Sequence, residues 1–439
     1  MSSLVIVLLG ILLLVFLIGY LKLNTFISFI IVCLSIGISL GMTVNDTVSA
    51  IKGGIGDILG TLVIILGFGA MLGKIVADSG AAQRITTSLT NAFGEKYLQW
   101  ALVLTGFIVG IPMFYSVGFV ILVPLVFSVA HRTKLPLVYV GLPMLASLSV
   151  THGYLPPHPA PTALAIQFEA DIGTTLLYGL VIAIPAIVLG GPVFSRYLKK
   201  YNPKPSEKFF NPIELSDEEM PNLTTSIFAA LFPVILLALT TALQFFVEPS
   251  ITFGKVLSFF GDPVIAMLLS VLLAIYLLGI RRKKSMDEIS SSITEGVTGI
   301  AMILLIIGGA GALKGILVAS GVADQIGEML SNINVSPYIL AWGIAAIIRV
   351  CIGSATAAGL TSAGIVFPLI AQTGANPSLM VLSIGAGSLM FSHLNDAGFW
   401  LFKEYFNLSV KDTLKTWSVM ETIVSFVGIV GVMILSNFV

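Results

Sequence analysis

The chain has 439 residues, of which 56% are hydrophobic and only 10% charged, with a mean hydropathy of +1.02. A soluble domain of that length needs a wet exterior, so the composition excludes one and points to a protein solvated by lipid. The 22 basic residues balance 22 acidic ones, leaving no global field to attract nucleic acid or an acidic partner.

In chain order, apolar runs at 4–21, 24–42 and 58–77 have the length that a hydrocarbon core of roughly 30 Å requires. Nothing basic precedes the first run and no small-residue cleavage site follows it, so it is expected to persist as a helix. Residues 98–130 read as a hairpin, interrupted between Gly110 and Gly118 around Pro112. Ser149 to Pro159 cannot continue as helix past its prolines, and a further span follows at 174–194. The polar stretch from Arg196 to Pro221 then divides the chain. Beyond it come spans at 223–247, 262–280 and 297–318, a second hairpin at 338–372 broken at Gly353 and Gly359, a break at Ser392–Gly398, and a last span at 416–438. Cys33 and Cys351 fall in apolar segments without metal-ligand spacing and are expected to be buried thiols.

The two halves echo one another. Gly54, Gly67, Gly69 and Gly73 recur 242 positions later as Gly296, Gly309, Gly311 and Gly315, and His152 recurs 241 positions later as His393. Duplication of this kind is a common plan for secondary transporters. Counting five crossings per half places 18 of the 22 basic residues on one side, against Lys52, Lys255 and Lys314 on the other, with Arg349 inside the second hairpin. By the positive-inside rule the richer side is cytoplasmic. Five is odd, so the halves are inverted. The expected fold is therefore all-α and polytopic: two inverted repeats of five transmembrane helices, each with a re-entrant hairpin and a broken helix. Residues 1–195 form the N-terminal repeat, 196–222 a cytoplasmic linker and 223–439 the C-terminal repeat.

Broken helices matter because their free N–H groups and dipole ends bind anions, and irregular backbone at membrane depth belongs where it lines a cavity. The four breaks hold Tyr115 and Ser116, Thr151, His152 and His158, Ser354 and Thr356, and His393, Asn395 and Asp396. Hydroxyls and amides in that set suit a polyhydroxylated substrate. Arg349 is an intramembrane cation that needs a partner or a cavity, and it is a candidate for the substrate carboxylate. Histidine and a buried aspartate can carry a proton. Runs such as Gly308–Gly311 are expected to serve close helix packing rather than ligand contact. A His-Glu-x-x-His pair, a nucleophile elbow and a phosphate loop are all missing, which disfavours an intramembrane enzyme and direct ATP drive.

The stretch from Ser149 to Thr162 (SVTHGYLPPHPAPT) resembles the signature of the gluconate permease family of gluconate:proton symporters, within the ion-transporter superfamily. So do the glycine-rich run from Leu72 to Gly80, the turn Gly353–Thr356, and the stretch from Ser392 to Phe406 (SHLNDAGFWLFKEYF). The resemblance runs from the first helix to the last. It implies a multi-pass protein of the bacterial inner membrane that takes up gluconate or a related sugar acid with protons, without cofactor or metal; a homodimer is one permitted assembly. The alternative within the family is a carrier of D-serine or another small hydroxy acid. The expected substrate-binding residues are Thr151, His152, Ser354, Thr356, Asn395, Arg349, Tyr115 and Ser116. The expected proton-coupling residues are Asp396, His393, His152 and His158. Family members usually have an acid in the first hairpin where this chain has Ser116, so coupling is expected to fall on Asp396 and the histidines.

Overall fold

The computed structural model describes residues 3–113, 115–201, 203, 215–244, 246–247, 251–322, 325, 335–394 and 396–439, and these are helical with short connections. Helix α1 (Ser3–Val15) continues through a π turn at Phe16–Tyr20, and α2 (Thr25–Ser39) starts at Asn24, whose side chain accepts from the N–H groups of Phe26 and Ile27. Helix α3 (Val44–Asp78) is longer than the apolar run at 58–77 suggests, because Thr43 caps it well upstream at the Asp46 N–H. It is followed by α4 (Ala81–Phe93), then by α5 (Leu98–Gly110) and α6 (Tyr115–Thr133), the expected first hairpin. Helices α7 (Leu137–Tyr154), α8 (Pro159–Gln167) and α9 (Ile172–Val188) complete the first half, with the proline-rich break falling between α7 and α8.

The second half comprises α10 (Leu223–Gln244), α11 (Thr252–Gly261), α12 (Pro263–Ala274), α13 (Met286–Ala319), α14 (Pro337–Ile352), α15 (Ala355–Thr373), α16 (Pro377–Ser388), α17 (Ala397–Tyr405) and α18 (Val419–Leu435), the last entered through a π turn at Leu414–Ser418. Gly353, at φ +83°, ends α14, and Ser354 caps α15 by accepting from the Ala357 N–H, so the second hairpin turns within two residues. Among the described residues five helices are long and apolar enough to cross a membrane. A sixth joins them if the two arms of α3, bent by 46°, count as one span.

Helices α3 and α13 pack along much of their length, and glycine sets how closely they approach. A Cβ on Gly54 would lie 2.2 Å from the Gly311 carbonyl oxygen, and one on Gly311 would lie 2.3 Å from that of Gly54. Gly308–Gly311 thus serve helix contact, as expected for small residues in a membrane bundle. The two large apolar cores each draw on both sides of the linker. One joins α4–α7, α9 and α10 to α17 and α18, and the other joins α1–α3 and α8 to α13–α16. The halves therefore interlock instead of lying side by side. The described end of the linker is tied down as well. Arg84 meets the Asp217 carboxylate at 2.8 Å and the Pro221 carbonyl at 2.9 Å, while Gln83 exchanges hydrogen bonds with Leu215. Beside them the Ser216 hydroxyl and N–H hold the Glu219 carboxyl below its ordinary value. Cys33 is buried, but Cys351 is exposed: α14 turns that face away from the bundle, which apolar context alone does not reveal.

Candidate functional site

Arg349 sits one turn before the end of α14 and is 3% exposed. Burial of a guanidinium demands a counter-charge, and Asp396 supplies it at 2.5 Å between Nη2 and Oδ2. Asp396 is the N-cap of α17, so its other oxygen accepts from the Gly398 N–H at 3.0 Å. Its Oδ2 also accepts from the Ser392 hydroxyl, which in turn accepts from Trp417 Nε1 at 2.7 Å. One chain of contacts thereby links the second hairpin, the second break and the entry to α18.

This pair borders a cavity of about 460 Å³, whose wall comes from both halves. Tyr115 enters at the start of α6, Ser149 and His152 from α7, and Gly353–Thr356 from the hairpin turn. Asp396–Gly398 contribute the start of α17, and Trp417 and Glu421 come from the last helix. Aromatic packing closes one flank, with Tyr115 ring-to-ring at 6.2 Å from His152 and 5.9 Å from Trp417. Two helix N-termini, those of α15 and α17, open on the wall, and free N–H groups there complement an anion.

Polar capacity in the wall exceeds what the protein itself uses. Arg349 Nε and Nη1, the Tyr115 hydroxyl, His152 Nδ1 and Glu421 Oε2 are buried with no hydrogen-bond partner among the described residues. Buried polar groups are nearly always paired, and each orphan is costly. Their concentration in four residues of one cavity marks a place built for something that brings its own acceptors and donors.

The expected site residues divide into three groups. Tyr115, His152, Arg349, Ser354, Thr356 and Asp396 come together at the cavity, from positions up to 281 apart in the chain (396 − 115 = 281). Thr151, His158 and His393 are not in its wall. The Thr151 hydroxyl bonds back to the Leu148 carbonyl at 3.0 Å. His158 is buried behind His152, 5.3 Å away ring to ring, with Nε2 2.8 Å from the Gly110 carbonyl. His393 has Nε2 2.9 Å from the Val350 carbonyl, so the repeat partner of His152 occupies a different setting. Asn395 and the side chain of Ser116 lie outside the described residues. Sequence reasoning missed Glu421, a buried acid on α18, and Trp417. A single acid at position 421 inside the run 416–438 was the available signal.

No group of three or more His, Cys, Asp or Glu side chains among the described residues could hold a metal ion. A second cavity of about 470 Å³ opens between α3, α8 and α13, lined by Asp57, Gln167 and Lys314. The Lys314 ammonium is engaged there by the Gln167 carbonyl at 3.0 Å and the Phe367 ring at 3.8 Å.

The model of the GntP family permeases matches residues 2–439. The chain is 50% identical to the high-affinity gluconate transporter of Escherichia coli K12, over 99% of both chains. It is 48% identical to the Gnt-II system L-idonate transporter of the same strain, over 96% of each, and 46% identical to the gluconate permease of Bacillus subtilis 168, over 99% of each. Among solved structures the fold is similar to that of MtrF from Neisseria gonorrhoeae, at a TM-score of 0.68 and 16% identity, covering 93% of this chain and 94% of that one. The YdaH transporter of Alcanivorax borkumensis matches at a TM-score of 0.67 and 16% identity, covering 94% and 97%. The chain is a multi-pass membrane protein and belongs to the GntP family of permeases.

Proposed function

We propose that this permease carries a sugar acid of the gluconate class together with a proton across the bacterial inner membrane, through two inverted repeats that meet at the Arg349 cavity. The observation that carries the reading is Arg349 itself. Its charge is balanced by Asp396, yet two of its three guanidinium nitrogens have no acceptor among the described residues. A planar guanidinium presents donors in a fork that suits a carboxylate. A substrate carboxylate on Arg349 and the α15 N-terminus leaves the polyol chain to face Ser354, Thr356, His152 and Tyr115. The names of relatives at 46–50% identity, two for gluconate and one for L-idonate, support the same class. The inverted arrangement is supported by the repeated glycines, since Gly54 meets Gly311 while its counterpart Gly296 meets Ala70, next to the counterpart of Gly311.

Competition against labelled gluconate uptake tests the substrate assignment. A site whose buried polar groups pair with several hydroxyls rejects analogues that leave them unpaired, by factors of about 10⁴ or more in well-built cases. Gluconate and L-idonate are expected to compete, and deoxy analogues and short aliphatic acids to compete poorly. Equal competition by a short aliphatic acid would remove the hydroxyl-reading role from the wall, and preferential competition by D-serine would move the protein to the amino-acid branch.

A further inference from the structure

Two acids border the cavity, and they are held differently. Both oxygens of Asp396 are committed: Oδ2 to Arg349 and Ser392, Oδ1 to the Gly398 N–H. Glu421 is 2% exposed and bonds Ser149, but its Oε2 is buried and unpartnered. Arg349 from α14 and Asp396 at the head of α17 act on it electrostatically; Tyr115, His152 and Tyr154 complete its titratable surroundings from α6 and α7. Helices α9 and α16, which also pack against α18, carry no charged side chain. Among the described residues the one cation that acts on Glu421 is already matched by Asp396, and a second fixed anion at Glu421 has no counter-ion left.

An anion entering this cavity needs the charge at Glu421 cancelled. With Glu421 ionised and His152 neutral, Arg349, Asp396 and Glu421 together carry one negative charge. A bound sugar acid makes that two, in surroundings where uncompensated charge is expensive. One proton on Glu421 returns the total to one, the value of the empty site. We propose that Glu421 is the proton-binding site of this permease, taking up one proton from water at Oε2 when the sugar acid binds and releasing it to water on the other side. Substrate and proton then bind better together than either does alone, and the effect on equilibrium binding is reciprocal.

The proposal rests on the symport reading above, and the test separates the two. Full-length wild type, Glu421→Gln and Glu421→Asp are reconstituted in proteoliposomes. Wild type is expected to exchange labelled gluconate across the membrane at equal concentrations, and to accumulate it by up to about tenfold per unit of imposed pH difference. In Glu421→Gln, which mimics the protonated side chain, exchange persists at a reduced rate and accumulation falls to the equilibrium ratio. Gluconate affinity in that variant loses the pH dependence it has in wild type. Glu421→Asp keeps a carboxyl, so accumulation survives with its pH profile displaced, and this second variant decides the matter if the first does not fold. Wild-type accumulation in Glu421→Gln, or an undisplaced profile in Glu421→Asp, overturns the assignment. A wild type that exchanges gluconate without responding to the pH gradient overturns the symport reading itself, and one that exchanges none overturns the substrate.

Discussion

Arg349→Gln is expected to weaken sugar-acid binding by roughly thirtyfold to several thousandfold. The range corresponds to the 2–5 kcal/mol typical for truncating one member of a buried, hydrogen-bonded charge pair. Two effects contribute and can be separated. The variant loses the fork proposed to receive the substrate carboxylate, and it also strands Asp396 as a partly buried anion whose donors among the described residues are Ser392 and a backbone N–H. In the double variant Arg349→Gln/Asp396→Asn the second effect disappears, because neither partner is charged. Thermal stability should then recover toward wild type while gluconate binding stays lost. Arg349→Lys keeps the charge but not the planar fork, so it should restore only part of the affinity. Scintillation proximity binding on purified protein, paired with thermal melts, reads both quantities. Near wild-type affinity in Arg349→Gln would mean that the carboxylate is received elsewhere.

Asp396→Asn is expected to destabilise the substrate-free protein by about 3–5 kcal/mol, since it leaves the Arg349 charge buried without its partner. The loss should exceed that of an ordinary N-cap change, because Asn still accepts from the Gly398 N–H and preserves the cap. Added gluconate brings a carboxylate to the stranded guanidinium. Its stabilising shift in melting temperature should therefore be larger in Asp396→Asn than in wild type at the same gluconate concentration. A variant that melts like wild type, or that gains no more from gluconate, would show that the ion pair does not hold Arg349 ready for an anion.

Much of this arrangement is legible in the sequence. Pro112, Pro156, Gly353 and the run from Ser392 to Gly398 locate the chain breaks, because they are incompatible with continuous helix, whereas Gly118 and Gly359 lie inside α6 and α15 and interrupt nothing. An arginine in an apolar segment announces a buried partner, and Arg349 has one. The azimuth of side chains near a break is another matter. Thr151 and His152 are neighbours on α7, yet one returns its hydroxyl to its own helix and the other reaches the cavity. His393 follows the end of α16 on irregular backbone, so its repeat relation to His152 does not carry over to its surroundings. Glu421 escapes notice for a different reason. A single acid does not break the hydropathy of the last span, and its burial depends on α18 packing against α7, α9 and α16, helices far away in the chain. The length of α3 is likewise set by a cap at Thr43 and by the glycine contact with α13, which a hydropathy window does not see.

Uptake of labelled gluconate into proteoliposomes, with pH and sodium gradients imposed separately, tests the central claim most directly: that this cavity couples a sugar acid to a proton. An inward proton gradient in sodium-free buffer is expected to drive gluconate above its equilibrium concentration, and a sodium gradient at equal pH is expected to drive none. Accumulation under the sodium gradient alone, or gluconate equilibration that ignores both gradients, would contradict it.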